Sequence, residues 1–203
     1  MKIKRGLIIM LTLLHIVCCV PVFANAASTE LDITEINMEQ YFTLSEDGTI
    51  DYDTLAAEAD GIDEHIISAV EAQISHMNQL VLSGKAYITN DFAAVQYTSL
   101  ARASGENKVV THWYGLTELY MDSDKADELY NRLLMLGDNM SNYAFESALE
   151  GAGVEGAAGV LMAGYFYNYW YQVGVAKEPG RGIIMNIQTD LLYGGQTIWF
   201  SSQ

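Results

Sequence analysis

The chain is short of cysteine and of positive charge. Its 203 residues hold two Cys, at positions 18 and 19, and 10 Lys plus Arg against 26 Asp plus Glu. Beyond those two cysteines the chain has no thiol nucleophile, no thiolate metal site and no disulfide to draw on. The fold must rest on core packing, for which the chain is long enough. From Ala27 to Gly84 there is no Lys or Arg at all. A net charge of −16 repels nucleic acid and anionic membranes, and favours solubility, cations or a basic partner. Catalytic motifs are missing too. There is no GxSxG, no HExxH, no Walker loop, and no GxGxxG that follows a strand. "GAGVEG" has the glycine spacing at Gly151, Gly153 and Gly156, but it lacks the strand and carries Glu155 where a phosphate would sit. No catalytic residue, metal set or cofactor is expected.

The N-terminus reads as a targeting signal. Lys2, Lys4 and Arg5 form a basic start, "GLIIMLTLLHIVCCVPVF" an apolar run, and Ala24-Asn25-Ala26 a small-x-small cleavage box. Cleavage after Ala26 would leave 177 of the 203 residues, remove both cysteines and make the remainder more acidic. The expected location is extracellular. The alternatives are a retained N-terminal anchor, or a lipid on Cys18 or Cys19.

Residues 27–60 are acidic and weakly patterned, and read as a loosely ordered leader with a turn at "EDGT". "SEDGTIDYD" has Gly48 where a calcium loop needs its glycine. Thr43 and Thr54 then fall where the dominant carboxylates belong, so a turn is expected instead. Residues 61–105 begin with a helix. Ile62, Ile66, Val70, Ile74, Met77 and Val81 recur at helical spacing between Gly61 and Gly84. "AYIT" and "AVQYTSL" read as short strands leading to a turn at "SGEN".

Residues 106–203 read as an α+β domain. "VVTHWYGLTELYM" is β-branched and aromatic, and is taken as one strand with Gly115 as a bulge. Asp122, Ser123 and Asp124 are N-cap residues for a helix striped by Leu129, Leu133 and Leu136. A second helical run covers about 141–176, with a break near Gly151–Gly156, and ends at Lys177 and Pro179-Gly180. "RGIIMNIQTD" and "QTIWFSSQ" flank "LLYGG" as a terminal hairpin. Residues 156–176 carry no charge, long enough to span a bilayer. Their Gly, Asn168, Gln172 and clustered tyrosines suit a buried helix better. Ala148, Ala152, Gly156 and Gly164 form a small-residue stripe for close packing, either on the helix after Asp122 or on a second copy.

"HWYG", "PGRGI" and the terminal W-x-x-S-Q, within Lys108 to Gln203, give a family resemblance. This half resembles largely uncharacterised small exported proteins of Gram-positive bacteria, some called bacteriocin-like for their glycine-rich helices. The resemblance implies export and supplies no catalytic residue.

The expected fold is α+β: a small, mostly antiparallel sheet packed on a Gly/Ala-rich helical pair and preceded by an acidic helical region. The expected function is extracellular binding of a protein or cell-surface ligand, through a surface that includes His112, Trp113, Tyr114, Arg181 and Trp199. The alternative is a membrane-active, bacteriocin-like or toxin-like factor that uses helix 151–176. Self-association is open to either.

Overall fold

The computed structural model describes residues 36–98, 101, 103–137, 140–154, 165–166, 169–177 and 180–203. In chain order the elements are β1 (Phe42–Leu44), β2 (Ile50–Tyr52), α1 (Thr54–Ala59), α2 (Glu64–Leu82), β3 (Tyr87–Ile88), β4 (Ala93–Tyr97), β5 (Lys108–His112) and β6 (Leu116–Met121). There follow α3 (Ser123–Leu136), β7 (Met140–Ser141), α4 (Asn142–Gly151), β8 (Tyr165–Phe166), α5 (Tyr169–Lys177), β9 (Ile183–Thr189) and β10 (Gln196–Ser202). The fold is α+β, as expected. Its centre is a six-stranded sheet in the order β10-β9-β6-β5-β4-β3, antiparallel throughout. The terminal hairpin is present as β9–β10, paired from Gln196↔Thr189 to Ser202↔Ile183.

Strand alternation decides which face is buried. The row Ile88, Ala94, Thr111, Thr117, Ile187, Ile198 runs straight across the sheet on one side. Two hydrophobic clusters fill that side. Leu119, Met121, Ile183, Met185 and Ile187 pack with Leu129 and Leu133 of α3, Phe145 of α4 and Val173 of α5. Ala94 packs with Ile66, Val70, Ile74 and Met77 of α2, and with Phe42 and Trp113. Helix α2 forms where the apolar period placed it, and its four central stripe residues are 0–3% exposed. The Asp63 carboxylate caps it by accepting from His65 N–H at 2.8 Å. In α3 the cap is Asp122, as expected, accepting from Lys125 N–H at 3.0 Å. Ala126, Leu129 and Leu133 form its buried stripe, while Leu136 is exposed.

Four expectations need correction. The described part of the leader, 36–60, is a built element. It carries a 3-10 turn (Met38–Tyr41), the β1–β2 hairpin and α1. Met38, Tyr41, Phe42, Ile50 and Ala57 are buried within it. These apolar residues are spread over short segments between acids, too few in each for a helical or strand period to show. The boundary at 105/106 is crossed by the β4–β5 ladder, from Ala93↔His112 to Tyr97↔Lys108. "VVTHWYGLTELYM" is two strands. Gly115 closes the turn between them, its N–H donating to His112 O at 3.2 Å with φ +90°. The helical run over 141–176 does break at Gly151, where α4 ends, but the helix expected over 151–176 is interrupted by β8, which pairs with β7. Among the described residues no helix is long and apolar enough to cross a membrane.

The small-residue stripe is present in its described half. Ala148 and Ala152 are buried in the cluster with α3, while Gly156 and Gly164 lie outside the described residues. A close contact not foreseen is Gly174, where an added Cβ would stand 3.0 Å from the Tyr130 ring of α3. Lys177, the expected cation at the helix end, lies 2.6 Å from Asp127 and over the Tyr130 ring.

The terminal Gln203 ties three segments together. Its Oε1 accepts from Glu106 N–H at 2.7 Å, and its Nε2 lies 2.9–3.2 Å from the carbonyls of Glu106, Met121 and Ile183. Two amide hydrogens serve three acceptors, so these bonds are shared. Gln203→Ala is expected to cost about 1–2 kcal/mol, since net hydrogen-bond contributions run near 1 kcal/mol each. Urea titration checks it, as a lower midpoint at unchanged slope.

The Tyr52 hydroxyl is buried and has no hydrogen-bond partner among the described residues. Burial, reinforced by the nearby Glu71 carboxylate, pushes its pKa from 10.0 up to about 12. The neutral phenol is thus the form the fold prefers. Its contribution is whole below about pH 10 and is lost as pH rises from about 10 to about 12. Tyr52→Phe keeps the ring that meets Phe42 edge-on at 5.3 Å. It is expected to hold neutral-pH stability within about 0.5 kcal/mol, or raise it, and to flatten the alkaline loss. Thermal melts across that pH range check both parts.

Candidate functional site

The other face of the sheet carries no helix among the described residues. Alternation places a second row across it: Tyr87, Val95, Val110, Glu118, Asn186 and Trp199. Beside it run Tyr97, Lys108, Tyr120, Ile184 and Ser201. A third row holds Ala93 and His112 on one side and Gln188 and Thr197 on the other. The floor is apolar and closed, with Val95 and Val110 each 7% exposed. The rim is aromatic and open, with Tyr97 64%, Tyr87 49% and Trp199 39% exposed.

The charged groups of this face are held in pairs. His112 Nε2 lies 3.1 Å from Glu118 Oε2. The imidazole stacks on Tyr114 with centroids 5.0 Å apart and planes 28° from parallel. Lys108 Nζ lies 2.6 Å from Glu106 and 4.5 Å from the Tyr120 ring centroid. Partial burial opposes the ammonium's charge, but the Glu106 bond and the surrounding oxygens outweigh it and raise the Lys108 pKa. The phenols of Tyr114 and Tyr120 are raised by burial and then by Glu118, so both stay neutral donors at ordinary pH. Tyr87 is raised first by its bond with the Tyr97 hydroxyl, consistent with their stacked rings at 6.4 Å and 25°. Thr89 bonding holds the Asp91 carboxyl below its usual range.

The five expected surface residues do not all meet. His112 and Tyr114 are in contact at the end of β5. Trp199 lies on the same face as His112 but three strands away, about 14 Å at ordinary strand spacing. Arg181 is exposed in the turn before β9. Trp113 is a correction: it is 4% exposed and belongs to the core under α2. Its indole meets Phe42 edge-on at 5.6 Å and donates from Nε1–H to Glu39 Oε1 at 3.2 Å. Even unbroken strand alternation sets Trp113 opposite His112 and Tyr114, so the three could not share one face. The sequence reading missed Tyr87, Tyr97 and Tyr120 as surface. Their strands were legible, and "AYIT" and "AVQYTSL" already put Tyr87 and Tyr97 in strands. What it could not supply is the register that brings their rings together.

Two shallow grooves lie on the helical side. One of about 300 Å³ runs between β2 and α2, near Tyr52, Glu71 and Asn78. The other, of about 370 Å³, lies between the end of α3 and α4, beside the exposed Met135 and Tyr143. Neither gathers convergent polar groups about an apolar floor as the open sheet face does.

No family model matches the chain, and neither does any curated protein or any solved structure.

Proposed function

We propose that this chain is an exported binding protein and that the sheet face on which none of the described helices packs is the binding surface. The observation that carries the reading is the set of exposed rings, Tyr87, Tyr97 and Trp199, on one rigid antiparallel face. Aromatic side chains on strands offer large contact area at little conformational cost, which is why they anchor interfaces. The basic start, apolar run and Ala24-Asn25-Ala26 box support export. The resemblance to small exported proteins agrees with this reading. The membrane-active alternative asks for one helix over 151–176 and gains no support from β8 lying within that span.

The test uses the chain without residues 1–26, labelled with a fluorophore and mixed with isolated Gram-positive cell envelopes. Saturable retention is expected. The double variant Tyr97→Ala/Trp199→Ala should lose about tenfold or more in apparent affinity, the effect of removing aromatic anchors. Met135→Ser, on the helical side, should lose nothing. Absence of retention, or equal retention by all three proteins, refutes the reading. Release of dye from lipid vesicles by the same chain would favour the membrane-active alternative.

A further inference from the structure

We propose that the ligand of this face is a neutral polysaccharide lying across the strands, an inference that rests on the binding reading above. The first argument is charge. On a chain with 26 acids and 10 bases, the open face offers no unanswered cation among the described residues. Lys108 is matched by Glu106 at 2.6 Å, and the Glu118 carboxylate lies at hydrogen-bond distance from His112, 3.1 Å. A basic protein would be drawn to the unpaired acids elsewhere, and an anionic polymer would be repelled by the whole molecule. A neutral ligand loses nothing to either effect.

The second argument is the texture of the face. The exposed rings do not merge into one apolar patch of the kind a protein interface buries at its centre. Tyr87 and Tyr97 stand together at the β3–β4 end, and Trp199 stands alone at the β10 end. Thr197 and Ser201 flank Trp199 on β10, with Gln188 paired to Thr197 on β9; these hydroxyl and amide side chains are at least partly exposed. A sugar ring has the matching texture: an apolar C–H face that stacks on an aromatic ring, and an equatorial rim of hydroxyls that hydrogen-bonds to amides and hydroxyls.

The third argument is length. Four strand spacings separate β10 from β4, about 19 Å. That is too far for a monosaccharide to touch both platforms and suits a chain of several units. The strands are fixed by continuous ladders, so the platform is ordered before the ligand arrives.

The experiment is native affinity electrophoresis of the chain without residues 1–26 through gels containing soluble β-glucan, xylan or glycol chitin, with polygalacturonate as the anionic counterpart. Retardation by at least one of the first three, and none by polygalacturonate, is expected. Trp199→Ala and Tyr97→Ala should each weaken it about tenfold. The Tyr97→Ala melt should match the parent, since that side chain is 64% exposed. Trp199 is 39% exposed, so Trp199→Ala is run well below its own melting temperature. No retardation by any of the three neutral polymers, or equal retardation of parent and variants, overturns the proposal. Envelope treatment separates it from the broader reading. Retention abolished by periodate, which cleaves vicinal diols, and unchanged by protease supports a glycan. Retention abolished by protease and unchanged by periodate overturns the glycan and leaves a protein-binding face. No retention on untreated envelopes removes both.

Discussion

Asp122→Ala is expected to destabilise the fold by about 2–4 kcal/mol, far more than its place at the start of a helix suggests. An ordinary N-cap loss costs about 1 kcal/mol. Asp122 is only 2% exposed and does more than cap. One carboxylate oxygen accepts from Lys125 N–H at 3.0 Å, and the other accepts from Asn107 Nδ2 at 2.7 Å. The Asp122 N–H in turn donates to Asn107 Oδ1 at 2.9 Å. Asn107 is itself 2% exposed, so the alanine leaves a buried amide donor without its carboxylate. An unsatisfied buried donor costs about 1–3 kcal/mol on top of the cap. The double variant Asp122→Ala/Asn107→Ala separates the two costs. It removes the stranded donor and should recover part of the loss, a non-additivity that a double-mutant cycle reads directly from urea midpoints. Strict additivity would show that the two side chains act independently and that the Asn107 bond is incidental.

How much of this fold the sequence discloses depends on how far each signal acts. Ile66, Val70, Ile74 and Met77 repeat over several turns of one helix, and that local period was enough to place α2. Asp122 was legible as a cap because capping chemistry is confined to one turn. The terminal hairpin was legible because two apolar runs flank "LLYGG". Tyr41, Phe42 and Ile50 were not legible, since they form no extended period and their partners, such as Trp113 for Phe42, lie far along the chain. The candidate face shows the same division. His112 and Trp199 were picked out as residue types in strands. That Tyr87 and Tyr97 belong with them follows from the β3–β4 and β4–β5 register, which is a tertiary fact. Trp113 was grouped with His112 and Tyr114 as surface, although period-2 alternation alone would set it on the opposite face.

That misplaced tryptophan points to Gly115, where the largest single-residue loss is expected. Gly115→Ala should cost about 2–5 kcal/mol. Two effects add. The backbone sits at φ +90°, outside the region open to an L side chain, which costs about 1–2 kcal/mol. An added Cβ would also stand 2.4 Å from Thr189 O and 3.1 Å from the Leu191 side chain. The nearest atom is backbone, and it cannot turn aside as a flexible side chain would. Thr189 N–H donates to Gly115 O at 3.0 Å, so the contact is part of the β6–β9 junction. Relieving it means opening that junction, and overpacking of this kind costs about 1–3 kcal/mol. Gly84→Ala is the control. Gly84 has φ +70° but nothing within 4 Å of an added Cβ, so only the conformational cost of about 1 kcal/mol should appear. The difference between the two melts isolates the steric contact. The turn also carries Trp113 inward and Tyr114 onto His112, so movement of Gly115 should register at both. Trp113 fluorescence should shift toward that of an exposed indole in Gly115→Ala and stay unchanged in Gly84→Ala. Equal losses in the two variants, with no spectral change, would mean that the β5–β6 turn yields freely and that the Thr189 contact does not constrain it.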